Sequence, residues 1–329
     1  MTTGIYKELS KKLLLEQSSL LPRIWAEVAD PVDAGILNAL PGTVEELSTR
    51  LGMDTEKLET RLHELFMRGA VFEKIKNGVT TWRMPRNIIQ FHDASLLWKD
   101  IPQSLISLWV EFMDTEYPEL LKLVTTHGIP SFMRVVPINV NLETQSQVLV
   151  SEDARRMVEE AEILAVVDCV CRLSKKKCDA PLEVCLQMNR GAEYTIKRGT
   201  GRQVTKHEAL DILQKSEDAG LVHLVENRSG MGNAICNCCT CCCEMLSFAG
   251  NAPTAGVLAK SRFGAVVDEN TCTGCARCMD ICPMEAISMP QGFAMISPET
   301  CIGCGLCVTT CPSGSISLNE IRPPDHIPT

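Results

Sequence analysis

Cys272-Thr273-Gly274-Cys275-Ala276-Arg277-Cys278-Met279-Asp280-Ile281-Cys282-Pro283 and Cys301-Ile302-Gly303-Cys304-Gly305-Leu306-Cys307-Val308-Thr309-Thr310-Cys311-Pro312 are two copies of one pattern. Each reads Cys-x2-Cys-x2-Cys-x3-Cys-Pro. The flanks repeat as well: Ala265-Val266-Val267-Asp268 precedes the first copy and Ala294-Met295-Ile296-Ser297 the second, while Ala286-Ile287-Ser288 follows one and Ser315-Ile316-Ser317 the other. This is an internal duplication. Gly274, Gly303 and Gly305 keep side chains out of the loops, so that backbone amides can approach sulfur. Pro283 and Pro312 are expected to keep the adjoining helix from starting too early.

These residues resemble the bacterial-type ferredoxin domain with two 4Fe–4S clusters, over about residues 262–319. The resemblance implies a duplicated βαβ fold and eight thiolate ligands. In that family the fourth cysteine of each run serves the other cluster. Cys272, Cys275, Cys278 and Cys311 would therefore hold one cluster, and Cys301, Cys304, Cys307 and Cys282 the second. Zinc sites also use paired cysteines, but not a triplet plus proline twice at matched spacing. Each cluster changes by one electron, so the resemblance implies electron transfer.

Ten more cysteines lie upstream, and none of the chain's 18 precedes Cys169. Cys169-x-Cys171-x6-Cys178-x6-Cys185 is followed by Cys236-x-Cys238-Cys239-x-Cys241-Cys242-Cys243. A run this dense can surround a metal core. Three readings stand open: one or two further iron–sulfur clusters, a substrate-facing cluster with an open iron position, or zinc or a redox-active thiol site. Lys175, Lys176 and Lys177 beside Cys178 would favour thiolates, or form a solvated basic loop. His223 could be a ligand, although a lone strand histidine is more often structural.

The cysteine-free half is patterned differently. Pro31–Leu40 predicts a short helix. Thr43-Val44-Glu45-Glu46 forms a capping box for a helix that Gly52 breaks. Asp54 caps the next, whose Leu58, Leu62, Leu65 and Phe66 recur at helical spacing up to Gly69. Val71–Lys76 and Val79–Met84 flank Asn77-Gly78, a strong hairpin signal. Three helices and a hairpin over about 25–86 resemble a winged-helix module. Residues 96–126 predict a helix with Leu105, Ile106, Trp109, Val110 and Phe112 on its apolar face, and Pro130–Val150 looks less regular. Ser151 is expected to cap a helix through Glu159–Ala165, and Thr205-Lys206-His207-Glu208 to open one that ends near Gly220. Val222–Val225 suits a strand. Gly250–Ser261 reads as a linker.

The fold class that follows is α+β and multidomain. It comprises a winged-helix-like domain (1–95), a helical connector (96–150), a helical, Cys-rich domain (151–250) and the two-cluster ferredoxin-like domain (262–319). A net charge of −9 suits docking to basic redox partners and argues against general nucleic-acid affinity. No apolar stretch is long enough to span a bilayer and no signal segment is visible. A cytosolic location is expected, where cysteines serve metals more than disulfides.

Walker A, dinucleotide and haem-attachment motifs are absent; Gly230-Met231-Gly232 lacks the rest of a dinucleotide fingerprint. The expected function is an electron carrier or a polyferredoxin-like subunit or adaptor of a larger anaerobic redox system. Its donor and acceptor are then other proteins, and the winged-helix-like domain serves docking or dimerisation. The alternatives are a redox- or iron-sensing transcription regulator and a reductase with a catalytic central cluster. The helix after Gly52 sets Asp54, Glu56, Glu59 and Glu64 against Lys57, Arg61 and Arg68, which is poor for phosphate contact.

Overall fold

The computed structural model describes residues 2–138, 142–143, 148–249 and 256–329. The chain divides into two compact units, Met1–Glu119 and Leu120–Thr329.

The first unit is helical with one hairpin: α1 (Thr2–Lys12), α2 (Leu21–Val28), α3 (Pro31–Ala39), α4 (Val44–Leu51), α5 (Thr55–Met67), β1 (Phe72–Lys76), β2 (Val79–Arg83), α6 (Ile88–Leu96) and α7 (Gln103–Thr126). Local chemistry sets its boundaries. The Asp30 carboxylate accepts from Asp33 N to start α3. Thr43 and Glu46 exchange both bonds of the capping box, and Gly52 ends α4 at φ 61°. Asp54 caps α5 through Lys57 N. Asn77 and Gly78 both take positive φ, and Lys76 pairs with Val79. A hydrophobic centre forms where Trp25 stacks on Phe91 at 3.8 Å and Trp109 meets Phe91 edge-on. The helix expected over 96–126 begins only at Gln103, and residues 88–96 form a helix of their own. Its buried stripe includes Leu108 in place of Ile106 and Val110, which are only half-buried.

The second unit is built on a seven-stranded sheet, whereas the sequence reading held only one strand there. Its strands are β3 (Met133–Val136), β5 (Leu164–Asp168), β6 (Glu183–Met188), β7 (Arg202–Gln203), β8 (Val222–Glu226), β9 (Ala234–Cys238) and β10 (Leu258–Ala259), in the order β10-β3-β8-β9-β6-β5-β7. All neighbours are antiparallel except β10 with β3. Between these strands in sequence come the helices α8 (Ala154–Glu160), α9 (Val170–Lys175), α10 (Arg190–Lys197) and α11 (Lys206–Asp218), of which α8 and α11 share a core with Val166, Val184, Leu186, Met188 and Ile235. Strand side chains alternate between faces. Cys185, Cys236 and Cys238 therefore stand on the face opposite that core.

Several expectations change. Asp153, not Ser151, caps α8 by accepting from Arg155 N and Arg156 N, and the helix stops at Glu160 because Leu164–Asp168 becomes strand β5. Thr205 caps α11 through Glu208 N, while the Glu208 carboxylate pairs with Arg202. Met133–Val136 is a fully buried strand where irregular chain was expected. Of the expected linker, residues 250–255 lie outside the described residues, and Leu258–Ala259 is the strand β10.

The C-terminal part repeats strand, loop, helix and strand. β11 (Phe263–Val267) pairs antiparallel with β14 (Ile316–Glu320), and β12 (Ile287–Ser288) with β13 (Met295–Ile296). Two short helices, α12 (Arg277–Ile281) and α13 (Leu306–Thr310), follow the cysteine loops. Pro283 and Pro312 come after these helices, so they end them rather than delay their start. β4 (Leu142–Glu143) adds to β14 in parallel. A buried ion triad clamps the C-terminal part to the sheet: Arg262 holds Glu152 through two bonds of 2.7 and 2.8 Å and Glu320 at 2.7 Å.

Candidate metal centres

The duplicated loops owe their shape to backbone that side chains would block. Gly274, Gly303 and Gly305 all take positive φ. A Cβ on Gly303 would stand 2.0 Å from the Phe263 carbonyl oxygen, and one on Gly274 would stand 2.4 Å from that of Gly292. The tight turns bring the thiols of each loop to one side.

Cys272, Cys275, Cys278 and Cys311 line one cavity, with Ser313 and Ser315 at its edge. Backbone amides of Ala294 and Gly274 donate to Cys272 Sγ and hold its pKa below the ordinary thiol value. Burial pushes Cys311 up, but the hydroxyls of Ser315 and Ser313 and their amides outweigh it and bring it to about 7. Cys304 is raised to about 12, chiefly by burial and then by the nearby charges of Cys301 and Cys282. Cys307 is raised by burial and by Cys304, Cys301 and Cys282. Each triplet thus has the fourth cysteine of the other run as a neighbour. Ala286 N donates to Cys282 Sγ at 3.3 Å. Four converging thiols with amide donors suit an iron–sulfur cluster, whose sulfurs accept such bonds.

Residues 265–318 match the family model of the 4Fe-4S dicluster domain. That stretch is a C-terminal ferredoxin-type domain, and with the cysteine-rich centre it supports an iron–sulfur electron-transfer role. Comparison with curated proteins and with solved structures finds no match for the chain. Among the described residues, no helix is long and apolar enough to cross a membrane.

The ten central cysteines fall into two groups. Cys243 is the hub of the first. It accepts from the Cys171 and Cys238 thiols and from the amides of Leu246 and Met245, which together hold it well below the ordinary thiol value. Cys169 and Cys236 join through Cys171 and Cys238, whose pKa values rise because each shares its proton with two neighbouring sulfurs. The register that pairs Leu186 with Ile235 puts Cys185 across from Cys236. Cys178, Cys239, Cys241 and Cys242 form the second group, with all four Sγ atoms within 4.8 Å of one another.

Arg172 lies between the groups. It is 2% exposed, donates to Asn237 O at 3.0 Å and Cys239 Sγ at 3.7 Å, and interacts with the charges of Cys169 and Cys238. Its Nε and Nη2 have no hydrogen-bond partner in the structure. The sequence reading passed over this residue, although it directly follows Cys171. Of the neighbouring lysines, Lys175 pairs with buried Glu244 at 2.9 Å, while Lys176 and Lys177 are exposed, in keeping with the solvated-loop alternative. His223 lies on the other face of the sheet, bonded to Asn237 and Glu217, and is structural.

Proposed function

We propose that this chain relays single electrons between partner proteins, through two 4Fe–4S clusters in its C-terminal domain and a further iron–sulfur centre on its central sheet. The observation behind this reading is the pair of matched loops, each with the other's fourth cysteine for a neighbour. Cys272, Cys275, Cys278 and Cys311 would hold the outer cluster, and Cys301, Cys304, Cys307 and Cys282 the inner one. Cys169, Cys171, Cys236, Cys238 and Cys243, with Cys185 adjacent, are the candidates for the third centre. When bound, the clusters supply reversible one-electron chemistry.

The chain's own groups prepare the sites. Amides of Ala294, Ala286, Met245 and Leu246 point at thiol sulfurs, so negative charge there meets fixed dipoles and needs little water. Ile287, Ala294 and Ile316 pack with Cys278 and Cys307 between the two loops and exclude water. Arg172 offers a buried positive charge beside the central thiols.

The test is iron and acid-labile sulfide counting on oxygen-free protein. About eight irons per chain correspond to the two C-terminal clusters and about twelve to a third cubane. Zinc with no inorganic sulfide would overturn the reading.

The first unit we assign to protein docking. Arg61 is bound to Asp30 and Asp33, and Arg68 to Asp33 and Glu64. Two of the three cations that a DNA-reading α5 would use, Arg61 and Arg68, are thus neutralised within the unit. Retention on duplex DNA at physiological salt would reverse this assignment in favour of a redox-sensing regulator.

A further inference from the structure

We propose that Cys178, Cys239, Cys241 and Cys242 bind a single zinc ion, distinct from every iron–sulfur centre of the chain. The spacing of the sulfurs is the main ground. Cys178 Sγ lies 3.8 Å from Cys239 Sγ and 3.9 Å from Cys242 Sγ, and Cys241 Sγ lies 3.8 Å from Cys242 Sγ. Four thiolates on one tetrahedral ion, with Zn–S bonds of about 2.3 Å, have sulfurs about 3.8 Å apart. A cubane gives each thiolate its own iron and so spreads them wider. The four Sγ atoms, all within 4.8 Å of one another, leave room for one ion and not for a cluster.

The surroundings of the four sulfurs agree with this. Four thiolates around a divalent cation leave two negative charges, and nearby N–H groups can offset them. Arg172 Nη1 points at Cys239 Sγ. The amide of Cys242 donates to Cys239, and that of Lys177 to Cys242. The ligands come from two segments distant in sequence. Cys178 follows α9 (Val170–Lys175), and the other three form the turn after β9. The Lys175–Glu244 ion pair joins the same two segments, with both side chains about 5% exposed or less. Such a closed, four-cysteine site is the structural type. It would join α9 to the β9 turn alongside the Lys175–Glu244 pair, which still ties these two segments together when the ion is lost.

The full chain, purified without oxygen, should contain about one zinc per chain alongside its iron and inorganic sulfide. In Cys178→Ser and Cys239→Ser the zinc should fall at least tenfold while iron and sulfide stay within about a fifth of wild type. Should those variants fail to accumulate, zinc-edge X-ray absorption on the wild-type chain decides, with a shell of four sulfurs at about 2.3 Å expected. Absence of zinc, oxygen or nitrogen in its first shell, or matched loss of iron and sulfide in Cys178→Ser would overturn the proposal. Failure of the electron-transfer reading looks different, because missing inorganic sulfide leaves the zinc count unchanged.

Discussion

The two copies of the cysteine loop have the same spacing and opposite surroundings. In the first, Cys275 is exposed and its neighbours Thr273 and Arg277 face solvent; in the second, every residue from Ile302 to Cys307 is buried. The second loop is tied into the unit by Ile138 N donating to Cys304 O and Ser261 N to Ile302 O. Where the first loop has Ala276 at φ 63°, the second has Gly305, whose missing Cβ would press on Leu318 and Ile138. A duplicated module has thus been differentiated by what packs on it. On the electron-relay reading proposed above, the exposed copy would meet partners and the buried one would pass electrons inward.

The largest expected effect is at the buried loop. Gly303→Ala puts a methyl into the Phe263 carbonyl oxygen and Ser261 Cβ, at a residue with φ 73°. Phe263 is fully buried and cannot retreat. A loss above about 4 kcal/mol, with about half of the C-terminal iron gone, is expected from thermal unfolding and metal analysis. Gly292→Ala, beside the exposed loop, meets no atom within 4 Å. It should show only backbone strain of about 1 kcal/mol. Equal losses in the two variants would remove the distinction between the copies.

Next comes the clamp. Glu152→Ala strands the fully buried Arg262, with Glu320 as its remaining carboxylate. Removing one partner of a buried pair costs about 3–5 kcal/mol. The buried loop should then become accessible: thiol labelling of metal-free protein should reach Cys304 faster, with little change at Cys275.

How much of this was legible in the sequence depends on the range of the interactions. Thr43, Asp54 and Asn77-Gly78 act within a few residues, and the structure puts each where local chemistry puts it. The eight C-terminal cysteines are legible because the pattern repeats. The central sheet is not. Glu183–Met188 alternates, with Glu183, Cys185 and Gln187 outward, but the thiol in the middle of that set reads as apolar and hides the strand period. Leu164–Asp168 is a short apolar run, which periodicity cannot distinguish from the end of a helix. The division of ten thiols into two groups depends on strand register and on two turns, and neither is written in cysteine spacing. The difference in burial between the two loops is hidden for the same reason, since it comes from Ile138, Ser261 and Phe263 outside the motif.

A smaller effect tests which cluster is outermost. Cys275→Ser should remove or convert the outer cluster and leave the inner cluster and central thiols intact, seen as loss of about half of the C-terminal iron. In the wild-type chain, loss of iron to a chelator under mild oxidation should be biphasic, with the faster phase absent in Cys275→Ser. The outer cluster should also have the higher reduction potential, because added negative charge is better tolerated near water than in a buried loop. A redox titration followed by electron paramagnetic resonance checks the order, and a single phase in both measurements would mean that burial does not separate the clusters.

The smallest expected effect concerns the rim of the exposed loop. Glu269, Asp280 and Glu285 are exposed around it, and Met279 and Met295 present apolar surface at 39% and 45% exposure. This combination suits a basic partner that buries a small apolar contact inside a charged ring. Carboxylates at a rim act on the rate of encounter more than on the stability of the complex. With cytochrome c as a basic probe, Asp280→Asn or Glu269→Gln should slow stopped-flow reduction about two- to threefold at low salt. The difference should vanish near 0.5 M salt, where the Debye length falls to about 4 Å. The same variants should leave iron content and cluster potentials unchanged, so the loss belongs to docking. If neutralising these residues has no effect at low salt while Cys275→Ser still slows the reaction, electrons leave the exposed cluster without help from its acidic rim, and the apolar contact of Met279 and Met295 becomes the part that orients the partner.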